Sequence, residues 1–223
     1  MNLLDRISKI EKKKKRILVI GDIMLDQYEY GLATRISPEA PLPVIEFAKQ
    51  TYIPGGAANV ANNLVALDAE VVLVGLVGND TNGEILKKSL KRAGISTRYI
   101  LTDQARPTTV KRRIYVGDTP VFRIDYETIK PINRIIEEKA CRIITRLVSS
   151  LDAIVISDYA KGFMNRSVIT TAICSARPFK KPIVVDCKPK NIKLYSRVTL
   201  VKPNLKEAKE ITGITDDVEQ IGA

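Results

Sequence analysis

The sequence predicts an α/β fold with a mostly parallel central sheet that helices cover on both faces. Short apolar runs alternate along the 223 residues with longer segments whose apolar side chains recur at helical spacing. Most of the short runs are rich in Val, Ile and Leu, which is typical of strands buried on both faces. With 45% hydrophobic and 27% charged residues, the chain carries enough apolar side chain for a large core.

The predicted elements begin with an amphipathic helix at 1–15, which has four aliphatic residues on one face, and the rest of the chain, 16–223, is predicted to form one domain. Five apolar runs are predicted strands: 16–22, 71–78, 153–159, 182–186 and 198–204. Five segments between and after them are predicted helices: 57–67, 82–93, 131–149, 165–176 and 205–212. Strands joined through helices in this way form parallel sheets.

Two segments break the alternation and predict a small β lid that projects from the main sheet. Residues 28–50 hold three prolines between short extended pieces. Residues 97–127 contain the extended pieces TTVKRRIYV and PVFRIDY. A β layer of this kind leaves strand edges and apolar side chains that a partner can cover, so we expect a homodimer through the lid.

The composition excludes several kinds of chemistry and partner. The chain has no His, which rules out imidazole catalysis, His metal ligands and Ser–His triads. Three scattered cysteines, the absence of a signal-peptide core and the lack of any run long enough for a membrane span predict a cytoplasmic protein. The net charge of +11 suits phosphorylated ligands or a generally Lys-rich surface, whereas 5% aromatic residues and no Trp argue against nucleic acid.

Polar side chains cluster where the predicted strands end, and ligands of open α/β sheets bind beyond the carboxyl ends of strands. They are Asp22, Asp26, Asp158, Lys161, Lys188, Asn204 and Glu207. Each one alone is better explained as a helix cap, since Asp and Asn cap helices that follow strands. Together, lysines for anionic oxygens and carboxylates for sugar hydroxyls or hydrated Mg²⁺ predict a site for a polyol and a nucleotide phosphate.

The segment PGGAANVANN at 54–63 fits the same site. Gly55 and Gly56 precede a predicted helix, so their backbone N–H groups can approach a hydroxyl or an anion, and Asn59 can add its amide one turn later. A turn without any ligand is the alternative. The chain contains neither GxxxxGK[ST] nor GxGxxG, which excludes a P-loop and a dinucleotide-binding fingerprint.

Eight segments, in this order, carry a resemblance to a known family: GDIMLDQY, RISPEAPLPV, PGGAANVANNL, LVGLVGND, RPTTVKRR, RIDYE, SDYAKG and VKPNLKEA. They resemble the ribokinase-like (PfkB) carbohydrate kinases over about residues 16–213. RISPEAPLPV and SDYAKG are most similar to the bacterial heptose-7-phosphate kinases. The resemblance implies a ribokinase-like three-layer α/β/α fold. It also implies Mg²⁺-dependent transfer of the γ-phosphoryl group of ATP to the anomeric hydroxyl of D-glycero-D-manno-heptose 7-phosphate, for the lipopolysaccharide core.

The resemblance also assigns roles to the matching positions. It implies that the sugar is held by Asp22, Asp26, Gly55, Gly56 and Asn59. It implies that Mg²⁺ is organised through water by Asn204 and Glu207, and that the residues toward the nucleotide phosphates are Asp158, Lys161 and Lys188. Because a sugar phosphate needs cationic partners, our hypothesis for the 7-phosphate is a set of three lid residues: Arg35, Lys111 and Arg113.

One family feature is not found in these 223 residues. The resemblance predicts a C-terminal GAGD-like motif whose glycines bind the transferring phosphoryl group and whose Asp takes the proton from the attacking hydroxyl. The sequence ends in DDVEQIGA without it, so no catalytic residue is assigned and the fold is expected to lack its C-terminal part. This chain alone is therefore expected to be nearly inactive. The open alternatives are another PfkB sugar kinase, for ribose or fructose phosphate, and a non-catalytic fragment that binds sugar phosphate or a partner.

Overall fold

The computed structural model describes residues 14–214, so the helix predicted at 1–15 lies outside the described residues except for Lys14 and Lys15. The described strands are β1 (Arg16–Gly21), β2 (Ile23–Ile36), β3 (Pro43–Gly56), β4 (Glu70–Gly78), β5 (Ile100–Asp103), β6 (Val110–Val116), β7 (Thr119–Tyr126), β8 (Ala153–Asp158), β9 (Ile183–Cys187) and β10 (Leu200–Val201). The described helices are α1 (Ala57–Ala66), α2 (Thr81–Arg92), α3 (Arg134–Leu147), α4 (Arg166–Ala176) and α5 (Leu205–Thr212).

Six strands form the central sheet in the order β10-β9-β8-β1-β4-β5, and every neighbouring pair is parallel. The mostly parallel sheet predicted from the sequence is therefore confirmed. From β1 the chain builds β4 and β5 on one side and then β8, β9 and β10 on the other. The carboxyl end of β1 is thus the point where the winding direction reverses, which is where ligands bind in such sheets.

Helices cover both faces of the central sheet and separate two cores. On one face α1 and α2 pack over a core that includes Val19, whereas α3 and α4 cover the opposite core, which includes Leu18 and Ile20. Successive residues of a strand point to opposite faces, so a strand between two helix layers needs apolar side chains at every position. This explains why the run at β1 is continuous rather than alternating.

The lid is a separate four-stranded sheet in the order β3-β2-β6-β7. The two strands of the first lid segment are longer than the predicted segment 28–50. β2 already begins at Ile23 and β3 ends only at Gly56, both next to the central sheet. The second predicted lid segment, 97–127, divides between the two sheets. Its first strand, β5, pairs with β4 at the edge of the central sheet, because Ile100 is buried in the core beneath α2. Only β6 and β7 belong to the lid.

Two element boundaries differ from the prediction where a proline or a cap intervenes. The run predicted as a strand at 198–204 forms only the two-residue β10, because Pro203 has no N–H and Asn204 already caps α5. The helix predicted at 131–149 begins at Arg134, after the capping residue Asn133. No helix within residues 14–214 is long and apolar enough to cross a lipid bilayer.

Candidate functional site

Asp22 joins the two sheets, because it is the single residue between β1 and β2. Its buried carboxylate accepts backbone N–H bonds from Tyr159 at 2.9 Å, Lys161 at 3.1 Å and Phe163 at 3.3 Å. Burial raises the pKa of Asp22 to about 6, and the charge of Asp158 adds to the rise while the N–H bonds oppose it. Both carboxylate oxygens are used in this way, so Asp22 fixes the loop after β8. Its direct contact with a sugar stays a prediction.

Asp158, at the end of β8, is buried and supports the same loop. Its carboxylate accepts the backbone N–H of Ala160 at 2.7 Å, the side-chain amide of Asn191 at 2.8 Å and the hydroxyl of Tyr195 at 2.8 Å. The sequence predicts this carboxylate toward the nucleotide phosphates. In the structure it holds the loop and the 3₁₀ turn at Pro189–Leu194 together, and a contact with a nucleotide stays a prediction.

Gly55 and Gly56 are required because other parts of the protein approach them closely. A Cβ on Gly55 would lie 2.4 Å from Oδ2 of Asp26, and one on Gly56 would lie 2.3 Å from the carbonyl oxygen of Asp22. Gly56 also has φ of 59°, a conformation that favours glycine. The same carbonyl of Asp22 accepts the N–H of Ala57, the first residue of α1, at 3.0 Å. The two glycines therefore bring the Asp26 carboxylate against the segment that enters α1.

The structure places Asn59 and Arg35 in different surroundings. Asn59 lies on the first turn of α1, where its exposed side chain makes no hydrogen bond to the described residues, so its amide is open to a ligand. Arg35 is exposed near the far end of β2, nine residues from Asp26, which corresponds to about 30 Å of strand. Within this chain Arg35 therefore lies apart from Lys111 and Arg113, and the predicted role of the three in binding the 7-phosphate stays a prediction.

One face of the lid sheet, which we call the polar lid face, carries Asp26, Tyr28, Lys111 and Arg113. Arg113 pairs with Oδ1 of Asp26 at 2.6 Å and lies 5.2 Å over the ring of Tyr28. Burial opposes the charge of Arg113, but the hydrogen bond and charge of Asp26 outweigh it and raise the pKa. Lys111 is the partner of Asp26 in the register of β2 and β6, and burial lowers its pKa, with the charge of Lys161 adding to the fall.

Two residues to which sequence analysis assigns no role tie the lid to the loop after β8. Glu127, which follows β7, pairs with Nζ of Lys161 at 2.5 Å. Arg106, which precedes β6, pairs with Asp103 and donates to the carbonyl oxygens of Lys161 at 3.4 Å and Lys130 at 2.9 Å. Lys161 therefore reaches the lid, and its predicted contact with nucleotide phosphates stays untested. The signal was present in the sequence, because RIDYE contains Glu127 and RPTTVKRR begins with Arg106.

A cavity of about 110 Å³ lies at the ends of β8 and β9, beside the start of α5. It is lined by Asp158, Tyr159, Asp186, Cys187, Lys188, Lys202, Asn204 and Glu207. The ammonium group of Lys188 donates to Oε1 of Glu207 at 2.7 Å, and this bond raises the pKa of Lys188. Burial raises the pKa of Cys187 to about 12, so its sulfur stays a neutral thiol at physiological pH. The cavity therefore combines cations with carboxylates and has no reactive thiolate.

Asn204 and Glu207 form a reciprocal cap at the start of α5. Oδ1 of Asn204 accepts the N–H of Glu207 at 2.9 Å, and Oε2 of Glu207 accepts the N–H of Asn204 at 3.1 Å. Burial would raise the pKa of Glu207, but the hydrogen bonds from Lys188 and Asn204 outweigh it and lower the pKa. In the described part of the chain, no three His, Cys, Asp or Glu side chains stand close enough to hold a metal. The two residues fit Mg²⁺ held through water better than direct ligation, and that role stays a prediction.

Comparison with known proteins places this geometry in a family. Residues 14–223 match the family described as pfkB family carbohydrate kinase. The Bifunctional protein HldE of Helicobacter hepaticus is 40% identical over 206 residues, 92% of this chain and 43% of that protein. The proteins of the same name from Wolinella succinogenes and Caulobacter vibrioides are 42% and 44% identical and cover 89% and 91% of this chain. This chain spans about two fifths of the length of these relatives, at 42% and 41% for the latter two.

Solved structures show the same fold. A carbohydrate kinase from Agrobacterium tumefaciens matches with a TM-score of 0.66 and 24% identity, over 91% of this chain and 64% of that one. The tetrameric inhibited form of phosphofructokinase-2 from Escherichia coli matches with a TM-score of 0.67 and 20% identity, over 93% and 68%. The ribokinase-like α/β fold predicted from the sequence is confirmed by these likenesses. Because the family match extends over almost the whole sequence, the chain belongs to the pfkB family of carbohydrate kinases.

Proposed function

We propose that this chain carries the acceptor site and part of the donor site of a heptose-7-phosphate kinase. The reaction is the Mg²⁺-dependent transfer of the γ-phosphoryl group of ATP to the anomeric hydroxyl of D-glycero-D-manno-heptose 7-phosphate. The observation that carries the proposal is the 40–44% identity to proteins named HldE over about nine tenths of this chain. The motifs RISPEAPLPV and SDYAKG, which resemble heptose-7-phosphate kinases, support the same sugar.

The acceptor site lies between the polar lid face and the start of α1. Asp26 and the open amide of Asn59 bind sugar hydroxyls, next to the backbone of Gly55. Lys111 and Arg113, on the same lid face as Asp26, bind the phosphate of the sugar. Charged hydrogen bonds to phosphate are among the stronger contacts that a site can offer, which suits a phosphorylated acceptor better than a free sugar.

The donor site is the cavity at the ends of β8 and β9. Lys188 binds the phosphates of ATP, and Glu207 with Asn204 orients water around Mg²⁺. When bound, Mg²⁺ neutralises phosphate charge. Asp22 and Asp158 hold the loop between the two sites, and Lys161 connects that loop to the lid through Glu127. The contacts of Asp22 with the sugar and of Asp158 and Lys161 with the nucleotide phosphates stay predictions.

The residues of this chain bind and orient, and no residue is assigned to proton abstraction, because the 223 residues contain no GAGD-like motif. Two alternatives are a different sugar kinase of the same family and a non-catalytic piece that binds sugar phosphate. Measuring which sugar phosphate binds most tightly distinguishes them from the proposal.

We further propose that the chain forms a homodimer through the lid and works in the cytoplasm. The lid sheet has a second face, which we call the apolar lid face, that carries Phe47, Phe122 and Ile124, with the ion pair of Glu29 and Arg112 between them. The three apolar side chains are exposed, with relative exposures of 66%, 57% and 40%. Exposed aromatic and aliphatic side chains grouped on one surface favour association. Three free cysteines, of which Cys187 is buried, support a reducing compartment.

Titration calorimetry with three sugar phosphates tests the function. We expect the purified chain to bind D-glycero-D-manno-heptose 7-phosphate more tightly than fructose 6-phosphate or ribose 5-phosphate. Asp26→Ala and Asn59→Ala should each weaken the binding of the heptose phosphate by about tenfold, the usual effect of losing one or two hydrogen bonds. Asn63→Ala, one turn further along α1, is the matched control and should leave the affinity unchanged. Tighter binding of another sugar phosphate, or no binding by a chain whose circular dichroism is native, overturns the assignment.

A further inference from the structure

The ring of Tyr159 lies between two lysines that come from different regions of the molecule. Nζ of Lys111, from the lid, is 5.4 Å from the centre of the ring. Nζ of Lys188, from the end of β9, is 5.5 Å from the same centre. Both distances are within the range in which an ammonium group is attracted by an aromatic ring. Tyr159 is therefore the side chain that touches both the proposed acceptor site and the proposed donor site.

Lys111 differs from its two neighbours on β6 in having no carboxylate within salt-bridge distance, although Asp26 and Asp125 lie opposite it on β2 and β7. Arg112 pairs with Glu29 at 3.4 Å and Arg113 pairs with Asp26 at 2.6 Å. Lys111 forms no salt bridge with any residue in the described range 14–214, and burial lowers its pKa although the charges of Asp26 and Asp125 oppose the fall. A lysine side chain has four rotatable bonds, so holding its ammonium group in one place requires a contact. The ring of Tyr159 supplies that contact.

Tyr159 itself is held firmly by the rigid part of the molecule. Its backbone N–H donates to Asp22 at 2.9 Å, and the preceding Asp158 is buried with three hydrogen-bond partners. Burial raises the pKa of the Tyr159 hydroxyl, and the charge of Asp186 adds to the rise. The ring is thus a neutral, fixed surface on the central sheet, against which the lid-borne Lys111 rests.

We propose that Tyr159 is a positioning residue for the phosphate of the acceptor: its ring holds the ammonium group of Lys111 in place before the ligand binds. This inference rests on the proposed function, because it takes a sugar phosphate as the ligand of Lys111. Lys188 has a second partner in Glu207, at 2.7 Å, and therefore depends less on the ring. Removal of the ring should weaken the binding of the sugar phosphate by about fivefold and leave the affinity for the magnesium complex of ADP almost unchanged.

The first test detects the ring contact without any ligand. Proton and carbon NMR of the lysine Cε groups should show ring-current shifts from Tyr159 for both Lys111 and Lys188, and Lys111→Met removes and thereby assigns the resonance of Lys111. Tyr159→Leu should return this resonance to the position of an ordinary lysine, while Tyr159→Phe should keep the shift. A Lys111 signal at the ordinary position in the unmodified chain, or one that Tyr159→Leu does not move, overturns the inference.

The second test is a double-mutant cycle by calorimetry, with whichever of the three sugar phosphates the unmodified chain binds most tightly. Tyr159→Leu should weaken binding about fivefold and Tyr159→Phe less than twofold. In the Lys111→Met background, Tyr159→Leu should cause no further loss, because the ring then has nothing to position. Tyr99→Leu is the matched control. The guanidinium of Arg98 lies 5.4 Å from the centre of the Tyr99 ring, so this variant removes a similar cation–ring contact near the amino end of β5, away from the site.

The outcomes separate the inference from the proposed function. Losses that add up in the double variant, or an equal loss of affinity for the magnesium complex of ADP, show a general structural role for Tyr159 and overturn the inference alone. Strongest binding of fructose 6-phosphate with a non-additive cycle overturns the heptose assignment and supports the inference. Binding of none of the three sugar phosphates by a natively folded chain overturns both.

Discussion

The central sheet and the lid sheet differ in what covers their apolar side chains. In the central sheet, Leu18 and Val19 point to opposite faces and both are fully buried, because a helix layer lies on each side. In the lid sheet, Phe47 and Phe122 lie on one face with more than half of their surface exposed. The opposite face of the lid carries the ion pair of Asp26 with Arg113.

This difference separates stability from binding. The central sheet obtains its cover from its own chain, so its apolar runs act as core. The lid uses the two-residue period of a strand to present two surfaces, one with the ion pair of Asp26 and Arg113 and one with exposed Phe47 and Phe122 beside the ion pair of Glu29 and Arg112. Since β7 and the outer halves of β2 and β3 bury little apolar surface within the chain, we expect most changes there to affect association or ligands, and changes in the central sheet to affect folding.

The largest expected effect comes from adding a methyl group inside the central sheet. A Cβ on Gly21 would lie 2.0 Å from the carbonyl oxygen of Ser157, the paired residue of β8. Gly21→Ala must push β1 and β8 apart, so we expect a loss of unfolding free energy of about 3 kcal/mol or more in urea denaturation. The control is Gly117→Ala in the lid hairpin, which meets no atom within 4 Å and costs about 1 kcal/mol through its φ of 59°. Equal losses would contradict the contrast between the two sheets.

The next effect concerns Asp22, which joins the two sheets and whose pKa burial raises from 3.8 to about 6. Between these values the folded chain retains a proton that the unfolded chain releases, so stability falls as the pH rises through this window. The total change is about 3 kcal/mol, and it is complete above about pH 6.

Urea denaturation of the unmodified chain and of Asp22→Asn at several pH values measures this change. We expect the difference in unfolding free energy between the two chains to fall from pH 4 to pH 6 and to stay constant above that. The Asn variant serves as the reference, because every other carboxylate titrates in both chains. A difference that does not vary with pH would mean that the three N–H bonds to Asp22 offset its burial.

The smallest effect on folding, but a large one on association, is expected from the apolar lid face. Replacing Phe47 and Phe122 together by Ser should raise the dissociation constant of the proposed dimer by roughly 10- to 100-fold per side chain, as expected for loss of phenyl burial. Sedimentation equilibrium measures this, and the unfolding free energy of the central sheet should not fall. Phe179→Ser is the control, because Phe179 is similarly exposed but lies in the turn after α4. An unmodified chain that stays monomeric contradicts the dimer.

Local patterns were sufficient to predict most of the fold. The Val, Ile and Leu runs identified the parallel strands, because burial on both faces leaves a signal in every residue of a strand. The pair Gly55 and Gly56 was identified as a point of close approach, but the approaching groups are Asp26 and Asp22 of the chain itself. The cap at Asn204 fits the capping alternative that the sequence offers for polar residues at strand ends, whereas the cap at Asn133 was missed and the helix was predicted to begin at 131.

The sequence by itself determined the parallel sheet, the existence of a lid and the family, because each of these depends on patterns among a few adjacent residues. Only the tertiary structure decided which side chains meet. It joined Asp22 to the loop at Tyr159, paired Lys161 with Glu127 and left Arg35 far from Lys111. The physical reason is that such contacts depend on strand order and register, which are set by interactions between residues distant in the chain.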